Sequence, residues 1–292
     1  MAGGNTGGGG EVSMNESTRQ TQHQPGVTIG CHAFLEPRLS EIGELRDQPG
    51  LDLPPRFLRH ADEHTVVGVH AVLAARATHP AMPPVAGHAV VAAPCQAGRI
   101  AGGKTLAQMA VGGGVTVSPH IVPQCSLHSI AGAVSVALGM HGPHLGVGGG
   151  PAALGEGLLV AASLLLSSGD PNCNGVWLIA TEWDEEPPLD HAGTPLTNPR
   201  CRGLAVFLEP LSSPEDGGTL LQPLAFELRM KRSVRGPQFQ EPAGGLVAFA
   251  RALDMCREGA ALASWAVACP GGGEIRVRSR SCSVACGLRE AA

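Results

Sequence analysis

Two stretches of the chain carry residue types at spacings that could do chemistry. The first, GRIAGGKT from Gly98 to Thr105, fits G-x-x-x-x-G-K-[ST]. In a phosphate-binding loop of that form Gly98 and Gly103 let backbone amides close around phosphates, Lys104 reaches the terminal ones, and the Thr105 hydroxyl holds magnesium. The apolar run VWLIATEWD would add the carboxylate of Asp184 as a Walker-B-like partner. Two features weigh against a nucleotide site. PCQA separates the preceding apolar run from Gly98, and GGG at Gly112 should stop the following helix within about two turns. With 41 glycines in the chain, four fixed positions also coincide easily. A Gly-rich loop followed by a short helix is the expectation here.

The second stretch is H-x-x-E-H, formed by His60, Glu63 and His64. That spacing puts two imidazoles on one helix face, beside a carboxylate able to serve as general base to a metal-bound water. A third ligand is needed. His70 or a distant Glu is a nominee, but no partner motif follows, and twelve histidines make chance pairs common. The same residues suit the solvated first turns of an amphipathic helix, with acids near its positive end. The sequence thus predicts no metal and no cofactor. Gly112 to Gly114 and Gly146 to Gly150 never complete G-x-G-x-x-G, so a dinucleotide fold has no support. Nine cysteines, an odd number without a C-x-x-C pair, fit reduced core thiols better than a disulfide framework or a zinc site.

The elements that must position such residues follow from periodicity and Gly/Pro punctuation. Arg59 to Ala77 predicts an amphipathic helix with Val66, Val69, Val72 and Leu73 on one side. Gly87 to Pro94, a short continuous apolar run, predicts a buried strand. Pro123 to Leu138 predicts a helix through Leu127, Ile130, Val134 and Leu138, and a strand follows around Leu145 to Val147. Ala152 to Ser168 is apolar nearly all round, which places it centrally. Gly175 to Glu182 and Gly203 to Pro210 are further β-type runs, separated by a polar, Pro-rich loop. A weaker section holds a strand near Leu220 to Met230, a helix from Gly244 to Gly259, and EIRVRSR as an edge strand. This alternation predicts an α/β, layered α/β/α architecture. Residues 1–25 have almost nothing to bury and predict a disordered tail.

Composition sets outer limits. A chain of 292 residues, 43% of them hydrophobic, can build one large core or two small ones. Its net charge of −5, with six Phe, three Trp and no Tyr, leaves no basic footprint and few stacking platforms for nucleic acid. The longest strongly apolar stretch, Leu158 to Leu166, is far below the roughly 18 residues of a membrane span. MAGGNTGGGGEVSMNESTRQ lacks the basic and apolar regions of a secretory leader, so the expectation is a cytoplasmic protein.

Ser118 to Pro143, SPHIVPQCSLHSIAGAVSVALGMHGP, resembles the β-ketoacyl synthases. That family has a proline-marked entry, a helix carrying A-G, and a small-residue turn G-h-x-G-P before a strand. The matching residues are Pro119, Pro123, Ala131, Gly132, Gly139, Gly142 and Pro143. The resemblance covers about residues 56–210 in order. It implies a thiolase-like fold of which this chain holds an N-terminal-type half: a synthase-like domain over 26–211 and a C-terminal extension over 212–292 packing on it. In active synthases the nucleophilic cysteine lies eight residues after the proline of the G-P pair, at a helix start that stabilises thiolate. That position here is Pro151, which suits a first-turn position but cannot attack a thioester. The family's two catalytic histidines are also missing, since the last histidine is His191. Cys125 and His128 lie nearby and read as packed side chains of the helix beginning at Pro123.

The resemblance therefore implies a non-condensing ketosynthase-like protein of fatty-acid or polyketide-type biosynthesis, shaping an acyl chain or docking as a chain-length factor does, without catalytic residues of its own. Its partners would be a ketosynthase-family subunit or a second copy, dimerised through the strand around Leu145 to Val147, and an acyl carrier protein. The alternatives are an acyltransferase or condensing enzyme using a non-standard nucleophile such as Cys125, and a P-loop nucleotide binder using Lys104 and Thr105.

Overall fold

The continuous apolar runs form the middle of the molecule. A computed structural model describes residues 27–48, 50, 53–54, 56–80, 82, 84–167, 173–210, 223–230, 245–257, 265–268 and 273–279, so the expected tail over 1–25 lies outside the described residues. In chain order the elements are β1 (Val27–Leu35), α1 (Ile42–Asp47), α2 (Glu63–Ala77), β2 (His88–Pro94), α3 (Arg99–Gly112), α4 (Ile121–Gln124), α5 (Ser129–Leu138), β3 (His144–Gly146), α6 (Ala153–Ser167), β4 (Gly175–Trp183), β5 (Cys201–Pro210), β6 (Pro223–Met230), α7 (Leu246–Arg257), β7 (Trp265–Ala268) and β8 (Gly273–Ser279). The strands make one sheet in the order β3-β2-β4-β5-β1-β6-β8-β7. β2 runs parallel to β3 and β4, and the remaining pairings are antiparallel.

A parallel centre must be covered on both faces, and β2 is buried along its whole length for that reason. Side chains alternate along β4: Val176, Leu178 and Ala180 join the core beneath α6 and α7, whereas Trp177 and Ile179 join the one beneath α2 and α5. Gly157 lets α6 settle on the sheet, because a Cβ there would lie 2.7 Å from both Ala93 and Leu178. α7 buries Leu246, Phe249, Ala250 and Leu253 in the same core as α6. Among the described residues no helix is long and apolar enough to cross a membrane.

Four expectations need correction. Helix α2 starts at Glu63 rather than Arg59, because Asp62 caps it by accepting a hydrogen bond from the Thr65 amide at 2.9 Å. The single helix expected from Pro123 is two, with a break over residues 125–128. α3 runs fourteen residues through its glycines and ends at Gly112, longer than the expected short helix. EIRVRSR is an inner strand, β8, lying between β6 and β7; the sheet's edges are β3 and β7. Helix α6 is central in that it packs on β2 and β4, but its far side carries Ser163 and Leu166 into solvent.

Candidate functional site

The C-terminal ends of the parallel strands meet at one edge of the sheet, where α/β proteins place ligands. The chain leaves β2 through Pro94, Cys95 and Gln96; β3 leads through Gly148 to Pro151 into α6; β4 ends in Thr181, Glu182 and Trp183. Backbone bonds tie the three exits together: Cys95 N–H to Thr181 O at 2.7 Å, Gly149 N–H to Pro94 O at 2.9 Å, and Gln96 N–H to Gly149 O at 3.3 Å. Gly148 and Gly149 have φ of +88° and +100°, a left-handed turn that side-chain-bearing residues resist. Pro151 follows, exposed. The Ala153 amide bonds to Gly150 O and the Glu156 amide to Ala152 O, so Pro151 sits at the helix start, where no donor is required. A helix N-terminus is thus presented at the strand exits without a side chain able to attack.

The neighbouring thiols do not replace it. Cys125 ends α4 against Gly98, where a Cβ would come within 2.5 Å of the cysteine's own Cβ. Asp62 is buried beside them, accepting from the Gly98 amide at 3.0 Å as well as capping α2. Burial, then the charges of Asp62 and Glu63, push the Cys125 thiol up to about 11. At neutral pH that leaves roughly one molecule in ten thousand as thiolate. Cys95 is raised in the same direction, first by burial and then by Glu182 and Glu186. A nucleophilic cysteine needs the opposite surroundings, with positive charge close by.

The remaining sequence candidates are dispersed. His60 lies in a turn before α2 and is exposed, Glu63 pairs with Arg46 at 3.3 Å, and His64 is buried with Nδ1 2.9 Å from Thr181 Oγ1 and its ring edge-on to Trp183. His70 Nε2 reaches Leu45 O at 2.8 Å. The three members of H-x-x-E-H therefore face three different surroundings. Gly98 is the left-handed residue before α3, while Gly103, Lys104 and Thr105 lie inside the helix. The Thr105 hydroxyl donates to Ala101 O at 2.8 Å, and Asp184 is occupied by the Glu185 and Arg200 amides, both at 2.8 Å. The Gly98 amide is taken by Asp62 and the Gly102 amide by Gly98 O at 2.7 Å, so Gly103, Lys104 and Thr105 continue a helix already begun rather than close a loop around phosphates. His128 is an exposed residue preceding α5, its ring 4.9 Å from that of His144, and not a packed helix residue.

Sequence reasoning missed Cys95, Asp62 and Thr181. The signal for Cys95 and Thr181 was their place at the end of apolar runs that pair in parallel, and for Asp62 its place before an apolar helix.

No protein-family model matches the chain, and no curated protein matches it. Solved structures do. One is a ketosynthase, ApeO, in complex with its chain length factor, ApeC, from Xenorhabdus doucetiae, with a TM-score of 0.54, 15% identity, and coverage of 87% of this chain and 99% of that one. Another is a type II PKS acyl-carrier protein in complex with its ketosynthase bound to the hexaketide (AntDE:AntF), with a TM-score of 0.51, 15% identity, and coverage of 71% and 70%. At such identity the likeness is one of fold. The chain has the mixed α/β fold of the thiolase-like ketosynthases, a sheet flanked by helices.

Proposed function

We propose that this chain is a non-condensing ketosynthase-like subunit of polyketide or fatty-acid-type biosynthesis, working with a ketosynthase-family partner or a second copy of itself and with an acyl carrier protein. The observation that carries the reading is Pro151 at the start of α6, in a ketosynthase-like fold whose nearby thiols are held protonated by burial and carboxylates. Burial and neighbouring carboxylates raise both Cys95 and Cys125, away from the thiolate that takes an acyl group. The solved complexes, one pairing a ketosynthase with its chain length factor and one holding an acyl-carrier protein, support the choice of partners. So does the outer edge of β3, which ends the sheet without a further paired strand among the described residues and carries half-exposed Leu145.

The test is reconstitution. The chain is incubated with acyl-carrier thioesters, with and without an active ketosynthase, and intact mass and product length are measured. The expected result is no stoichiometric acyl adduct on this chain, a stable complex with the synthase by ultracentrifugation, and a changed product-length distribution. An acyl adduct mapped to Cys95 or Cys125 overturns the non-condensing reading. A monomer that ignores every synthase and carrier overturns the partner reading.

A further inference from the structure

At the opposite, N-terminal ends of the parallel strands, α2 stops at Ala77 and the chain returns to β2. Between this return and the turn after α5 lies an open cleft of about 500 Å³, lined by Arg76, His79, Met82, Pro84, Val85 and Gly139 among others. Arg76 is half-buried there. Arg46, Arg99, Arg200, Arg202 and Arg257 each pair with a carboxylate, and Arg38, Arg56, Arg59 and Arg251 are exposed, whereas the half-buried Arg76 guanidinium makes no hydrogen bond or ion pair among the described residues. A guanidinium fork held against an apolar wall without a partner leaves recognition capacity unused.

We propose that this cleft binds a small amphiphilic carboxylate, with its carboxylate on the fork of Arg76 and its hydrocarbon part on Met82, Pro84 and Val85. The inference is independent of the proposed function, which concerns the other end of the strands. Several features select this ligand class. Among the described lining residues Arg76 carries the only permanent positive charge, and the carbonyl end of α2 beside it disfavours added negative charge, so a monoanion is favoured over a phosphate dianion. The apolar walls reward methylene groups.

The charges around the cleft supply a readout. His88 begins β2 and is fully buried on Phe207, with ring centroids 4.6 Å apart and neither ring nitrogen hydrogen-bonded among the described residues. Burial, then the positive charge of Arg76, hold its pKa down at about 4. Glu209 on β5 is raised by burial and drawn down in turn by His79. An anion on Arg76 offsets the repulsion that Arg76 exerts on protonated His88, so His88 titrates higher in the liganded protein.

The experiment titrates the full chain with decanoate by calorimetry and follows the histidine rings by NMR. Expected are saturable one-to-one binding, shifts at His79 and His88, and an upward move of the His88 titration. Arg76→Gln should weaken binding at least tenfold, and Arg76→Lys several-fold, since lysine keeps the charge without the fork. Val85→Glu should abolish binding, with circular dichroism confirming that the variants fold. Three results overturn the proposal: no saturable binding, Arg76→Gln binding decanoate as wild type does, or inorganic phosphate displacing decanoate, which marks an unselective anion site.

Discussion

Helices α6 and α3 are nearly equal in length, fifteen and fourteen residues, and both carry internal glycines, yet they are built into the molecule in opposite ways. α6 turns Ala153, Leu154, Leu158, Ala161 and Leu165 into the core, and Gly157 brings it close to β2 and β4. α3 buries Ile100 alone, and its apolar Leu106 and Val111 are 68% and 94% exposed. Its Gly103 serves a different contact, since a Cβ there would lie 2.3 Å from the Leu189 side chain of the loop after β4. The rest of its attachment is polar: Gly98 to Asp62, and Arg99 to Glu186 at 2.8 Å. One helix is held by burial and the other by a few anchors at its first turns. Similar glycine-rich helices can therefore contribute very unequally to stability.

The largest expected effect tests the buried helix. Leu158 is fully enclosed, and Leu158→Ala removes its transfer energy and leaves a cavity, a loss of about 2–5 kcal/mol by urea denaturation. A loss below about 1 kcal/mol would place α6 outside the cooperative core.

Acid titration asks whether the sheet, rather than α3, sets the low-pH limit. The folded pKa of His88 is about 4 against an ordinary 6.5, so the unfolded chain takes up the proton first. The corresponding stability is fully present above pH 6.5 and is lost as pH falls toward 4, up to about 3 kcal/mol. His32 and His64 are also lowered by burial and add to the same slope. The measurement is therefore the difference between wild type and His88→Phe, which should flatten between pH 6.5 and 4. Parallel slopes would show that His88 titrates normally.

Asp62 ties α3 to α2, because one oxygen caps α2 and the other receives the Gly98 amide just before α3. Asp62→Ala orphans both donors and should cost about 1–3 kcal/mol. It also removes one of the two charges that raise Cys125, so alkylation of that thiol by iodoacetamide should accelerate at neutral pH. Unchanged alkylation would mean that the Asp62 charge does not control the thiol.

The contrast also marks what was legible in the sequence. β2, β4, β5 and α6 follow from periodicity because each has an apolar face or run set locally and satisfied by burial. Pro151 was reached by counting from the G-P turn. The break between α4 and α5 was not legible, since it depends on Ser126 and Ser129 hydroxyls donating to Pro123 O, and on Leu127 packing against Gly149 in a distant turn. The H-x-x-E-H spacing makes no shared helix face because the Asp62 cap starts the helix after His60, which removes one imidazole from it. The inner position of β8 depends on which strands pair, and that choice is non-local. Cys95 escaped notice because a lone cysteine acquires a place only when β2 and β4 align in parallel.

The smallest stability effect bears most directly on α3. Leu106 is largely exposed, so Leu106→Ser removes little apolar area from the core and should change stability by less than about 0.5 kcal/mol in the isolated chain. Native-state hydrogen exchange should show the second half of α3 opening at lower free energy than α6, because its anchors to Asp62, Glu186 and Leu189 lie in its first turns. The same substitution sharpens the comparison when the proposed synthase partner is added. If that partner covers the exposed side of α3, exchange along α3 slows in the complex, and Leu106→Ser weakens the complex while leaving the isolated chain's melt unmoved. If exchange along α3 is unchanged in a complex that still forms, the partner docks elsewhere, with the β3 edge as the next surface to test. A large stability loss in the isolated chain would instead show that Leu106 is packed, and the distinction between the two helices would fall.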